Sequence, residues 1–212
     1  LAVQAVAAIV FTSPATEING NVCGFSSFTG NPVNSGGAGD YKLQAGQFAY
    51  EGGCDPSGLN AMRLEAMTKT AKPIANALGG LTFTAGTYSA TAFTIAANTQ
   101  VTLKGGRDDI FLFQSGAAMT TGANTEFIMT SADDDSAGIN GVPQAKNILF
   151  ALTAAATTGA GSFLEGSILA GAAVTLGAAS HVSGYVLAGA SISVGAEGYL
   201  NSASSGLSVD DT

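Results

Sequence analysis

From residue 81 onward, apolar and polar positions alternate in short runs, and the runs recur. Ala155-Ala156-Thr157-Thr158-Gly159 lies over Ala173-Val174-Thr175-Leu176-Gly177 and over Ser191-Ile192-Ser193-Val194-Gly195, a spacing of 18. On that register Phe150, Ile168 and Val186 form one column, Leu164, Val182 and Leu200 another, and Gly166 lies over Gly184. A fixed short period marks a solenoid, in which one sequence position becomes a ladder along a face. Eighteen extended residues give a perimeter of about 60 Å, which suits three short strands and three turns per coil.

Parity within each strand sorts inward from outward positions. In the first strand Phe113, Phe150, Ile168 and Val186 point inward, yet the opposite parity (Leu112, Leu149, Leu169, Leu187) is apolar too. A strand apolar on both sides is covered on both sides, so this face is assigned to a helix. In the second strand Phe93, Met119, Ala156, Val174 and Ile192 point inward. Its outward positions are Ala92 and Thr94, Ala118 and Thr120, Ala155 and Thr157, Ala173 and Thr175, Ser191 and Ser193. That face has no charge, no bulk and no aromatic residue. The third strand turns Phe127, Leu164, Val182 and Leu200 inward, and its outer side is a mixed solvent face that includes Glu126, Phe163, Glu165, His181 and Tyr199.

The expected organisation is one domain over residues 1–212. Residues 1–20 form a first coil and 21–56 a loop-rich cap. Residues 57–78 form a helix begun by Asp55-Pro56, with Leu59, Met62, Ala66 and Met67 on its apolar side and Arg63, Glu65, Lys69 and Lys72 opposite. Pro73 marks a break or kink in it. The coils run over 81–202, interrupted by loops at 104–109 and 130–146, and a tail follows at 203–212.

Composition narrows the function. Only 10% of residues are charged, against about a quarter in ordinary globular domains, and there are 29 glycines among 212 residues. The net charge is −8 and the seven basic residues form no patch, which excludes nucleic acid and anionic membranes as partners. No apolar run reaches the roughly 20 residues that span a bilayer. Residues 1–10 lack a basic stretch and an initiator Met, as expected where a presequence has been removed. The two cysteines, Cys23 and Cys54, fit one disulfide in an oxidising compartment; two free thiols are the alternative. Catalytic chemistry is sparse. His181 is the single histidine, no Ser-His-Asp set or phosphate loop can be assigned, and no cysteines and histidines share metal-ligand spacing. Asp133-Asp134-Asp135 lacks the spaced oxygen ligands of a calcium loop. No cofactor and no turnover are expected.

The uncharged ladder is the informative surface, because soluble proteins avoid such patches unless they bind something. Its natural partner is extended and periodic: a crystal or a polymer. At Leu78-Gly79-Gly80-Leu81-Thr82-Phe83-Thr84-Ala85-Gly86-Thr87-Tyr88, Ile110-Phe111-Leu112-Phe113-Gln114, Ala145-Lys146-Asn147-Ile148-Leu149-Phe150 and Gly166-Ser167-Ile168-Leu169-Ala170, the chain resembles the microbial ice-binding proteins. The resemblance covers nearly the whole chain from the helix onward. It implies a mainly β fold, a right-handed triangular parallel β-helix of about six coils with one long α-helix along one face. It implies that the helix carries the chain to the far end, so that the last coil docks on the first. It implies a secreted monomer that adsorbs to ice through the flat second face and inhibits ice growth and recrystallisation. Some relatives carry Thr-Ala/Gly-x-Thr/Asn there; this chain has Ala117-Ala118-Met119-Thr120 and Ala172-Ala173-Val174-Thr175. The alternatives are a β-helix enzyme acting on polysaccharide, which needs converging acids such as Glu126 and Glu165, and an extracellular adhesin.

Overall fold

The computed structural model describes residues 3–11, 16–19, 22–24, 27–29, 32–34, 41–43, 49–51, 56–132 and 141–201, those from 22 to 51 by their backbone. Three parallel sheets close a triangular solenoid. The first sheet has nine strands, including Gly86–Ala90, Phe111–Ser115, Ile148–Leu152, Ser167–Ala170 and Val186–Ala188. The second has seven: Phe93–Ile95, Met119–Thr121, Ala156–Thr157, Val174–Leu176, Ile192–Val194, Ala8–Phe11 and Ser27–Thr29. The third has nine, including Gln100–Gly105, Glu126–Ser131, Phe163–Glu165, His181–Ser183 and Tyr199–Asn201.

The N-terminal coil docks on the last C-terminal one, with Val3 opposite Val186, Ile9 opposite Ile192 and Ile18 opposite Leu200. Inward parity holds in every column. Phe93, Phe113, Phe150, Ile168, Val174, Val186, Ile192 and Leu200 have no exposed surface. In the coils from Phe83 to Phe150 the core is aromatic. Phe113 stacks on Phe150 at 5.0 Å and meets Phe83 edge-on at 5.2 Å, arrangements that add to simple area burial.

Three expectations are corrected, the third being the side of the helix on which Met62 lies. The segment expected as a cap contains strands: Val22–Gly24 extends the first sheet, Ser27–Thr29 the second and Tyr41–Leu43 the third. They make a further coil beyond the six. The helix runs over Pro56–Thr68, not 57–78. Pro73 has no N–H to donate, and it drives Lys72 out of the helical region. Lys72–Pro73 is instead an edge strand beside Tyr88 and Ser89, a position that tolerates proline. Ile74 and Leu78, which keep helical spacing in the sequence, pack into the solenoid core.

The helix covers the first sheet with Ala66 and Met67. These meet Leu112, Leu149 and Ala151, while Met62 and Leu64 are 56% and 50% exposed. Met62 thus lies on the solvent side, contrary to expectation, and Arg63 is half-buried. Gln114 explains the rotation: its buried amide donates to the Ala66 and Lys69 carbonyls, both at 2.8 Å, and so satisfies orphan groups at the helix C-terminus.

Candidate functional site

The second sheet carries the ladder, and backbone pairing sets its register. Thr94, Thr120, Thr157, Thr175 and Ser193 lie opposite one another in turn. The parallel column of Ala92, Ala118, Ala155, Ala173 and Ser191 is fixed by hydrogen bonds of the following residues. Phe93, Met119, Ala156 and Val174 donate to the carbonyls of Ala118, Ala155, Ala173 and Ser191 at 2.9–3.0 Å. Neighbouring rungs of such a sheet lie about 4.8 Å apart, and alternate residues of one strand about 6.8 Å apart. All ten expected site residues therefore fall on one surface.

The pairing also adds residues that sequence reasoning left out. Val10 lies opposite Ser193, which sets Ala8 beside Ser191, and the backbone of Thr29 lies opposite Val10. Only the alternation of Val10 with buried Ile9 and Phe11 could have signalled this, since these rungs lie some 180 positions apart in the chain. With seven strands the face is about 29 Å long.

Parity gives the threonines two jobs. Inward Thr121 and Thr158 accept the N–H groups of Gly159 and Gly177 at 3.1 Å. Outward Thr120, Thr157 and Thr175 are exposed, and among the described residues their hydroxyls make no hydrogen bond. Thr94, at the far end, differs. Its hydroxyl lies 3.5 Å from the Asn76 carbonyl, and it borders a shallow hollow of about 310 Å³ with Ala77, Thr99 and Thr120. From Thr157 toward Val10 the face lies clear of this hollow.

The other faces are built differently. The helix covers the first. On the third, Phe163 stacks on His181 with centroids 4.5 Å apart, and Tyr199 follows in the same column, tilted against His181 at 5.4 Å. Beside them burial raises the Glu165 carboxyl above its ordinary range, partly offset by a hydrogen bond with Ser183. The folded state therefore favours the protonated acid. The stability this group contributes is full below the ordinary carboxyl range and is lost as pH rises through the raised value. Glu165→Gln is accordingly expected to melt above the parent at pH 7, with the gap closing toward about pH 4. Melting curves across that range check it; a gap that does not change with pH rejects it. Among the described residues no three of His, Cys, Asp and Glu cluster as metal ligands. Asp133, Asp134, Asp135 and Cys54 lie outside the described residues, as does the side chain of Cys23, so the expected pairing does too.

The sequence profile of the Ice-binding-like family matches residues 3–198. The chain belongs to that family. Membership in the Ice-binding-like family removes the polysaccharide-active enzyme alternative. An ice-binding protein of Lentinula edodes is 36% identical over 92 residues, which are 43% of this chain and 28% of that protein's length. Solved structures agree in fold. The ice-binding protein of Antarctomyces psychrotrophicus aligns with a TM-score of 0.75 at 21% identity, covering 93% of this chain and 92% of that one. The DUF3494 domain of a Shewanella frigidimarina ice-binding protein gives 0.77 at 20% identity, with coverages of 95% and 93%. An ice-binding protein from an Arctic yeast gives 0.74 at 19% identity, with coverages of 95% and 90%.

Proposed function

We propose that this chain adsorbs to ice through the second face and inhibits ice growth and recrystallisation. The observation that carries the reading is the uncharged Ala and Thr/Ser double column, held in register by the sheet from Thr120 to Ser193. Methyls and free hydroxyls repeating at fixed intervals order water into a lattice-like layer that merges with ice. Growth between adsorbed molecules is then curved and disfavoured. A single ice crystal held below its melting point in dilute protein tests this. Facets and arrested growth are expected; round, unhindered growth rejects the reading.

We further infer that the chain works outside the cell as a monomer with a Cys23–Cys54 disulfide. The backbone of Cys23 lies between Gln4 and Tyr50 in the first sheet, the sheet that the helix covers, and Cys54 precedes that helix by two residues. The bridge would tie the further coil to the helix start. Reducing it is expected to cost about 3 kcal/mol in the chain-entropy picture. Mass measurement of native protein after alkylation checks it, and two alkylated thiols would overturn it.

A further inference from the structure

We propose that a second site, in the groove between the N-terminal half of the helix and the corner joining the first and second sheets, binds a carboxylate-bearing sugar. The groove measures about 350 Å³, at the small end of ligand clefts, which suits a single sugar ring.

Its floor is bare backbone for a structural reason. Gly171 and Gly189 follow the strands Ser167–Ala170 and Val186–Ala188. A Cβ at Gly171 would overlap the Thr153 carbonyl, and one at Gly189 the Gly171 carbonyl. The close stacking of the coils thus keeps two adjacent corners empty. Val6 adds an apolar side chain to the lining.

The wall is polar. Ser57, Asn60 and Arg63 recur every three residues, which sets them on one stripe of the helix, and all three line the groove. Arg63 is half-buried, and its guanidinium carbon would lie 3.4 Å from a Cβ on Gly171, so the charge hangs over the glycine floor. Its Nη2 donates to Asn60 Oδ1 at 2.9 Å. That bond holds the fork and leaves further guanidinium N–H groups and the Asn60 amide nitrogen as donors.

Charge selects the ligand. The chain carries −8, yet among the described residues Arg63 has no carboxylate partner, whereas Lys69 on the outer side pairs with Glu65 at 3.3 Å. A planar carboxylate fits the guanidinium fork in bidentate fashion. Sugar hydroxyls suit the amide and the backbone floor. The groove leads into Ala172-Ala173 and Ala190-Ser191 at the border of the second face. Uronate units of an acidic polymer could be held there with the ladder left open.

Calorimetric titration with galacturonate, galactose and acetate tests the site without reference to ice. Saturable binding of galacturonate is expected, with galactose and acetate at least about tenfold weaker, the factor one charge-assisted hydrogen bond supplies. Arg63→Gln and Asn60→Leu are each expected to weaken galacturonate about tenfold. Lys69→Gln should leave it unchanged, and all three variants should keep the parent melting temperature and ice-growth inhibition. Absence of saturable galacturonate binding overturns the proposal. So does acetate binding as tightly as galacturonate, or a loss in Lys69→Gln equal to that in Arg63→Gln.

Discussion

Thr175→Tyr is expected to abolish most ice-growth inhibition while leaving the fold intact. Thr175 stands on the fourth of the seven strands of the second sheet, at the centre of the face. It is exposed, and its neighbours Val174 and Leu176 supply the core contacts of that strand. An adsorbing face works through many weak contacts made together, each worth only about 0.1–0.2 kcal/mol per atom pair. A gap of about 1 Å already forfeits up to half of such a contact. A protruding ring lifts the rungs on both sides by more than that, so the loss extends well beyond one residue. Thr157→Tyr, one rung away, should behave alike. Thr94→Tyr should cost less, because Thr94 lies at the end of the ladder beside the hollow. His181→Tyr, on the third face, should cost nothing. Stability should change by under about 0.5 kcal/mol, as for most surface substitutions. Thermal hysteresis and melting temperature, measured on the same four variants, decide the matter. Active Thr175→Tyr protein would place the ice-binding surface elsewhere, and activity lost together with the fold would make the ladder structural.

The ladder from Thr120 to Ser193 was legible because period and parity act together. Stacked coils repeat one environment, so each column repeats one residue type, and alternation then sorts the two sides. The contribution of Ala8 and Val10 was not legible, because their rung joins its neighbour across nearly the whole chain and no local pattern encodes that pairing. The strands between 22 and 51 were hidden for another reason. Glycine and asparagine break their alternation, and the pairing is set by the coil beneath. The helix misled through spacing. Ile74 and Leu78 keep helical intervals while serving as inward residues of a partial coil, and Pro73 decides between the two. The exposure of Met62 follows from Gln114, whose hold on the Ala66 and Lys69 carbonyls turns Ala66 and Met67 toward the sheet. A side-chain amide 45 to 48 positions away leaves no trace in the helix's own periodicity.

Gly159→Ala is expected to cost more stability than a methyl added where the coils leave room. Gly159, Gly177 and Gly195 are the residues whose recurrence reveals the solenoid, and the structure shows what they are for. A Cβ on Gly159 would overlap the Gly122 carbonyl and the Ala123 nitrogen. One on Gly177 would lie 2.6 Å from Gly159 carbon and Ala160 nitrogen, and one on Gly195 2.6 Å from Ala178 nitrogen. These obstacles are backbone, so no rotamer change relieves them; the coils must part. Parting them would also break the bond from the Gly159 N–H to Thr121 Oγ1. Overpacking alone costs about 1–3 kcal/mol, and losing the bond of this half-buried donor adds about 1 more. Gly80→Ala provides the contrast. Its Cβ would meet nothing within 4 Å, but its φ of +78° is left-handed, so only the backbone penalty of about 1–2 kcal/mol applies. The shift of the denaturant midpoint from the parent should be about twice as large for Gly159→Ala as for Gly80→Ala. Equal shifts would mean that the glycine period reflects backbone preference and not contact between coils. Any Gly159→Ala protein that remains folded should also lose hysteresis, because Thr157, two residues before the strained turn, would no longer keep its spacing from Thr120.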